Sequence, residues 1–120
     1  LEIAFSIDTE ESRSEYDIVI ILFGKDGDVL KTYGFRKSVE LADGSTKGVA
    51  VCSCIDIGIE RKLLDRYGSA ALFVYRHSNS DGVTTHCNQA VLAGYFKENY
   101  PYADFDAFWK SLAGMHFTAI

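Results

Sequence analysis

The feature that most constrains this chain is an unbroken apolar run that ends in a turn sequence. The run, Ile18 to Phe23, is short enough to be a buried strand. A cluster of turn residues with Asp-Gly at its centre follows at positions 24–28, and residues 29–35 alternate well enough to form a second strand. We therefore predict a β-hairpin over residues 16–36.

Length and composition limit the class of protein. The 120 residues amount to one domain, 1–120, and with 48% hydrophobic and 13% aromatic residues a core can be buried. No apolar run approaches the ~18 residues that cross a bilayer. The start, Leu1-Glu2-Ile3, has neither an initiating Met nor the basic flank of a signal peptide, so we expect a processed product or a fragment of a larger protein. Three cysteines without regular spacing indicate no disulfide framework and a reducing, cytoplasmic setting.

The remaining pattern alternates strands with helices. Residues 3–7, 70–75 and 115–120 are predicted to be strands. A helix that begins near Thr84 or Thr85 is broken by Pro101, and Asp104 caps a further helix. The predicted inner face of the first helix is Cys87, Ala90, Val91, Gly94 and Tyr95, and that of the second is Phe105, Phe108, Trp109 and Leu112.

The segment 46–67 is ambiguous. Apolar residues recur every four positions from Val51 to Tyr67, which favours one long helix. Residues 49–55, however, also alternate and are rich in β-branched side chains, which leaves open a strand there followed by a helix over 57–67. We take the single helix as the first expectation.

An Asp-x-Glu motif, Asp8-Thr-Glu10, ends the first predicted strand and precedes the hairpin. Together with the element order, this resembles the ribonuclease H-like superfamily, including the DEDD-type 3′–5′ exonucleases and ribonuclease HI. The resemblance implies an α/β fold with a mixed sheet in the order strand, hairpin, helix, strand, two helices, strand. It places the first strand centrally, next to the hairpin and parallel to strand 70–75.

The resemblance also implies a function and a site. Asp8, Glu10 and Asp81 would be catalytic, and Asp8 and Glu10 would hold Mg²⁺ for phosphodiester hydrolysis in nucleic-acid processing. The chain departs from ribonuclease HI at Lys47, where that family has a Glu nearby, and at Arg76, where its strand ends in Asp. A non-catalytic protein-interaction or assembly domain of the same fold is therefore the alternative.

Three further expectations concern thiols, partners and charge. Cys87 and His116 are the candidate pair for a cysteine hydrolase, although Cys87 also fits as a small apolar side chain on a helix. Zinc-compatible side chains occur at Cys52, Cys54, His86 and Cys87, but the Cys-x-Cys and adjacent His-Cys spacings are poor for zinc. The net charge of −5 argues against tight, non-specific duplex binding, and dimerisation through the last strand, at a sheet edge, is a further expectation.

Overall fold

The computed structural model describes residues 1–9, 13–41, 49–76 and 89–120, which form a mixed α/β structure. The strands are β1 (Glu2–Thr9), β2 (Arg13–Gly24), β3 (Val29–Glu40), β4 (Val49–Asp56), β5 (Tyr67–Arg76) and β6 (Phe117–Ala119), and the helices are α1 (Arg61–Leu64), α2 (Gln89–Asn99) and α3 (Phe105–Leu112). A four-stranded sheet has the order β5-β2-β3-β6, and β1 and β4 form a separate two-stranded sheet. The four-stranded sheet is mixed, because β6 runs parallel to β3 whereas the other pairs are antiparallel. The general α/β class with a mixed sheet is confirmed.

The predicted β-hairpin is confirmed and is longer than predicted. β2 and β3 pair antiparallel over their whole length, apart from one irregularity next to the turn. In the turn, the Gly24 amide donates to the Asp28 carbonyl at 2.8 Å. Gly27 has a φ of 84°, a left-handed conformation that glycine adopts without a steric clash. The Asp-Gly sequence therefore closes the hairpin as expected.

The central strand β2 is covered on both faces, which explains its unbroken apolar run. Every residue from Ile18 to Phe23 is at most 1% exposed. The side chains that enter the helix-side core are Val19, Ile21 and Phe23, and those that enter the core shared with the β1–β4 sheet are Ile18, Ile20 and Leu22. The described residues thus form three layers: helices, the four-stranded sheet, and the two-stranded sheet.

The single helix predicted over 46–67 is wrong, and the alternative strand is confirmed as β4. Ile55 and Ile57 are each 4% exposed, while the residues between and beside them are exposed. Residues spaced by four share a face in a strand as well as in a helix, so the spacing that favoured the helix could not separate the two. The helix that follows, α1, has only four residues.

The expected central position of β1 is also wrong. β1 pairs antiparallel with β4 in the two-stranded sheet, and β5, which was expected to be its parallel neighbour, pairs antiparallel with β2. Along β1 only alternate residues turn inward, with Ile7 buried and Ser6 and Asp8 exposed. Such a one-faced strand suits a sheet that covers one side of a core, whereas a central strand needs apolar residues on both faces.

The helix α3 is confirmed with its cap. The Asp104 carboxylate accepts a hydrogen bond from the Ala107 amide at 3.0 Å, which satisfies one of the free amides at the helix start. Phe108 and Leu112 are 3% and 2% exposed, so the predicted face packs on the sheet.

The helix α2 ends before Pro101 as predicted, but its predicted inner face is wrong. Val91 is 65% exposed, whereas Leu92 and Phe96 are nearly fully buried. Leu92 and Phe96 bury more apolar area than the small residues of the predicted stripe, and this decides the rotation of the helix. The start of the predicted helix, with Cys87, lies outside the described residues. No helix within the described ranges is long and apolar enough to cross a membrane.

Candidate functional site

The predicted catalytic acids lie only partly within the described chain. Asp8 is the penultimate residue of β1 and is exposed, opposite Ala50 of β4. Glu10 and Asp81 lie outside the described residues. Within the described ranges, no group of three His, Cys, Asp or Glu side chains could hold a metal ion. The acidic site and its Mg²⁺ therefore stay predictions.

The strands that lead to those acids do end near one another. The hydroxyl oxygen of Thr9, at the end of β1, lies 3.5 Å from that of Ser14 at the start of β2. Arg76, at the end of β5, pairs with Tyr16 of β2. A polar cavity of about 600 Å³ lies at this end of the sheet, and its lining includes Arg13 and Arg76.

The thiol and imidazole candidates are not brought together within the described residues. His116 is exposed just before β6, and its predicted partner Cys87 lies outside them. Cys52 and Cys54 are both exposed on β4. The Cys54 thiol donates to a Glu2 carboxylate oxygen at 3.2 Å. This hydrogen bond, with smaller contributions from desolvation and from nearby carboxylates, raises the pKa of the Cys54 thiol, so the neutral thiol is favoured over a reactive thiolate.

Aromatic rings pack between the helices and the four-stranded sheet. Tyr100 lies parallel to Phe23 of β2 with ring centroids 3.5 Å apart, and its hydroxyl lies 2.8 Å from the Ser69 hydroxyl of β5. Phe96 of α2 stacks on Phe108 of α3 at 4.9 Å. These contacts connect the segment after α2 to β2 and β5, and connect α2 to α3. The aromatic face of α3 is thus core rather than a platform for bases, although Trp109 is only partly buried.

A groove of about 620 Å³ lies between α3 and the first half of β3. One wall is formed by Asp28 of the turn and residues 29–32 of β3, and the other includes Ala107 and Phe108 of α3. Tyr102, which also lines a small cavity beside the hairpin turn, stands at one end. Met115 stands at the other end, where its sulfur is 3.0 Å from the place that a Cβ on Gly34 would take. We call this space the β3–α3 groove.

The strand wall of the β3–α3 groove is an open sheet edge. β6 pairs only with Gly34 to Arg36, so within the described residues no strand lies beside the part of β3 before Gly34. The Arg36 carbonyl accepts from the Ile120 amide at 3.0 Å, which shows that the backbone of Arg36 is directed at the β6 side. Backbone polar groups alternate in direction along a strand, so those of Thr32 point to the same side, where the described residues place no partner strand.

Comparison of the chain with protein-family models, with curated proteins and with solved structures found no match. The β3–α3 groove was not foreseen from the residues. Its only signals in the sequence are an aromatic residue after Pro101, at Tyr102, and the Gly114-Met115 step that brings the chain back to the sheet. Neither signal is specific to a binding site.

Proposed function

We propose that this domain is a non-catalytic protein-interaction domain that binds an extended peptide as an added strand on β3. The observation that carries the proposal is the open edge of β3 beside the β3–α3 groove. In strand addition, main-chain hydrogen bonds supply affinity and a neighbouring groove accepts alternate side chains.

The dimensions of the edge fit this mode of binding. The part of β3 from Val29 to Tyr33 has five residues, which extend over roughly 16 Å. The bound strand would lie in the same row as β6, which already pairs with the neighbouring part of β3. The opposite wall is held in place by the rings of Phe96 and Phe108, so the groove needs little rearrangement before binding.

Two variants test the proposal by closing the groove in different ways. Thr32→Pro removes the amide that points to the groove but no hydrogen bond to β2, and proline is tolerated on such an edge. Ala107→Trp fills the groove from α3. Ala90→Trp, on the exposed start of α2, is the matched control because Ala90 does not line the groove.

The probe is a display library of random ten-residue peptides, selected on the wild-type domain. We expect selected peptides that bind the wild type and Ala90→Trp equally and lose at least about tenfold in affinity for both groove variants. Peptides that bind all four proteins alike, or a selection that yields no binder, would contradict the proposed function. Circular dichroism of each variant checks that the fold is retained.

A second candidate function is favoured by the polar cavity at one end of the sheet. β2 begins beside this cavity at Arg13, and β5 ends beside it at Arg76. It is the ribonuclease H-like one: hydrolysis of a phosphodiester with Mg²⁺ held by Asp8 and Glu10, and with Asp81 as a further catalytic acid. Arginines beside acidic residues suit a phosphate backbone held next to a metal.

The test of this second candidate is thermal unfolding with millimolar Mn²⁺ or Mg²⁺. A metal that binds only the folded state raises the melting temperature, and Asp8→Asn should abolish the rise while Asp65→Asn, an exposed carboxylate elsewhere, should keep it. A wild-type melting temperature that does not respond to either metal would count against the candidate.

A further inference from the structure

One end of the β3–α3 groove combines an exposed aromatic ring with carboxylates. Tyr102 is 87% exposed, the largest exposed fraction among the exposed large hydrophobic side chains of the described chain. Asp104 and Asp28 also line the groove: Asp104 caps α3 two residues after Tyr102, and Asp28 follows the hairpin turn that Tyr102 lies beside. A single exposed tyrosine is ordinary, but a ring with two carboxylates beside an open strand edge is a more specific arrangement.

The two carboxylates, Asp28 and Asp104, differ in how far other groups of the protein already compensate their charge. Asp28 is bridged to Arg66 at 2.8 Å, so much of its charge is already compensated. Asp104 accepts the capping hydrogen bond from Ala107 through one oxygen and forms no salt bridge within the part of the chain that the structure describes. Asp104 is therefore the principal countercharge at this end. With Asp106, which is also in the first turn of α3, it offsets the positive end of the helix dipole.

Lys31 belongs to the lining of the groove, but its charge is engaged on the other side of the strand. The Lys31 ammonium is 3.6 Å from a Glu60 carboxylate and lies 5.0 Å from the Tyr33 ring centroid, which places it toward the other face of the sheet. The lining of the groove thus presents an aromatic face and a carboxylate at one end without a matching cation.

We infer that the peptide added to β3 carries a lysine or arginine that lies on the Tyr102 ring and against the Asp104 carboxylate. A cation over an aromatic face is attracted by the ring, and a carboxylate in reach adds a charge-assisted hydrogen bond. The inference rests on the proposed function, because the strand edge is what delivers the side chain to this end. It names the partner as an extended basic segment of another protein. A second copy of this chain, whose net charge is −5, is a poorer match.

The test compares the residues selected at each position by wild-type protein, Tyr102→Ala, Asp104→Asn and Asp106→Asn from the same ten-residue display library. Asparagine retains the capping oxygen of Asp104 but removes its charge, so the helix start is preserved. Asp106→Asn makes the same charge change on the same helix at a residue that does not line the groove, and is the matched control.

We expect lysine or arginine to be enriched at one position by the wild type and by Asp106→Asn, and the enrichment to be lost with Tyr102→Ala and Asp104→Asn. Replacing that basic residue with glutamine in a selected peptide should weaken its binding to the wild type about tenfold and leave its binding to Asp104→Asn nearly unchanged.

The outcomes separate the inference from the proposed function. Peptides whose binding is lost with Ala107→Trp but that show no basic preference would overturn the inference and keep the function. A basic preference that persists in both Tyr102→Ala and Asp104→Asn would also overturn the inference. Peptides that ignore the groove variants, or an absence of binders, would overturn both.

Discussion

Replacing Phe96 with alanine is expected to destabilise the domain severely. Its ring is 2% exposed and lies against the rings of Phe108 at 4.9 Å, Phe105 at 5.2 Å and Phe23 at 5.5 Å. A phenylalanine buries about 200 Å², and at about 25 cal/mol per Å² this is roughly 5 kcal/mol before the part that alanine retains. We therefore expect Phe96→Ala to cost about 3–5 kcal/mol of a total near 5–15 kcal/mol.

The control is Val91→Ala on the same helix. Val91 is 65% exposed, so its loss should change the free energy of unfolding by less than about 0.5 kcal/mol. Urea unfolding, followed by circular dichroism and by the fluorescence of the single tryptophan, measures both. Equal costs for the two variants, or a larger cost for Val91→Ala, would refute the rotation of α2 and the packing derived from it.

Three smaller predictions follow from other parts of the fold. Gly27→Ala should lower the free energy of unfolding by about 1 kcal/mol, because Gly27 has a positive φ. Gly58→Ala should not lower it, because a Cβ at Gly58 would meet no atom within 4 Å. Equal urea midpoints for the two variants would contradict this prediction. Glu2→Gln should lower the pKa of the Cys54 thiol, so alkylation of Cys54 by iodoacetamide near pH 8, followed by mass spectrometry, should become faster; an unchanged rate would contradict the Glu2 contact. Trp109→Ala should cost about 1–3 kcal/mol in the same unfolding assay, less than Phe96→Ala because Trp109 is only partly buried; a cost near zero would place its ring on the surface.

The parts of the fold that were predicted correctly are those decided by neighbouring residues. The hairpin follows from an apolar run and an Asp-Gly turn, and α3 follows from the Asp104 cap and the spacing of Phe108 and Leu112. Each of these features stabilises its element within a few residues of the chain. No distant contact is needed to choose between alternatives there.

The pairing of β1 depends on distant contacts and was not predictable in this way. β1 and β4 both have one apolar face, and their place is decided by the side of the four-stranded sheet that α2 and α3 leave uncovered. The rotation of α2 depends similarly on the ring of Phe23, which is 5.5 Å from that of Phe96. The alternation of apolar and polar residues along one strand indicates that one face is buried. It does not indicate which other element covers that face.

The β3–α3 groove could not be predicted for a related reason. Its open edge exists because β6 is only three residues long and meets β3 first at Gly34. A Cβ at Gly34 would lie 2.9 Å from the His116 carbonyl oxygen, so the close crossing that sets this register needs glycine. The presence of Gly34 can be read from the sequence. Which segment of the chain packs against Gly34 cannot be read from it.

The most direct test of the account is nuclear magnetic resonance of the ¹⁵N-labelled domain with a selected peptide. If the peptide adds to β3, the exchange of the Thr32 amide with solvent slows on binding, and intermolecular contacts connect the peptide backbone to Thr32. Contacts to the outer edge of β5 or to the β1–β4 sheet instead, with the Thr32 amide still exchanging freely, would contradict the proposed binding mode.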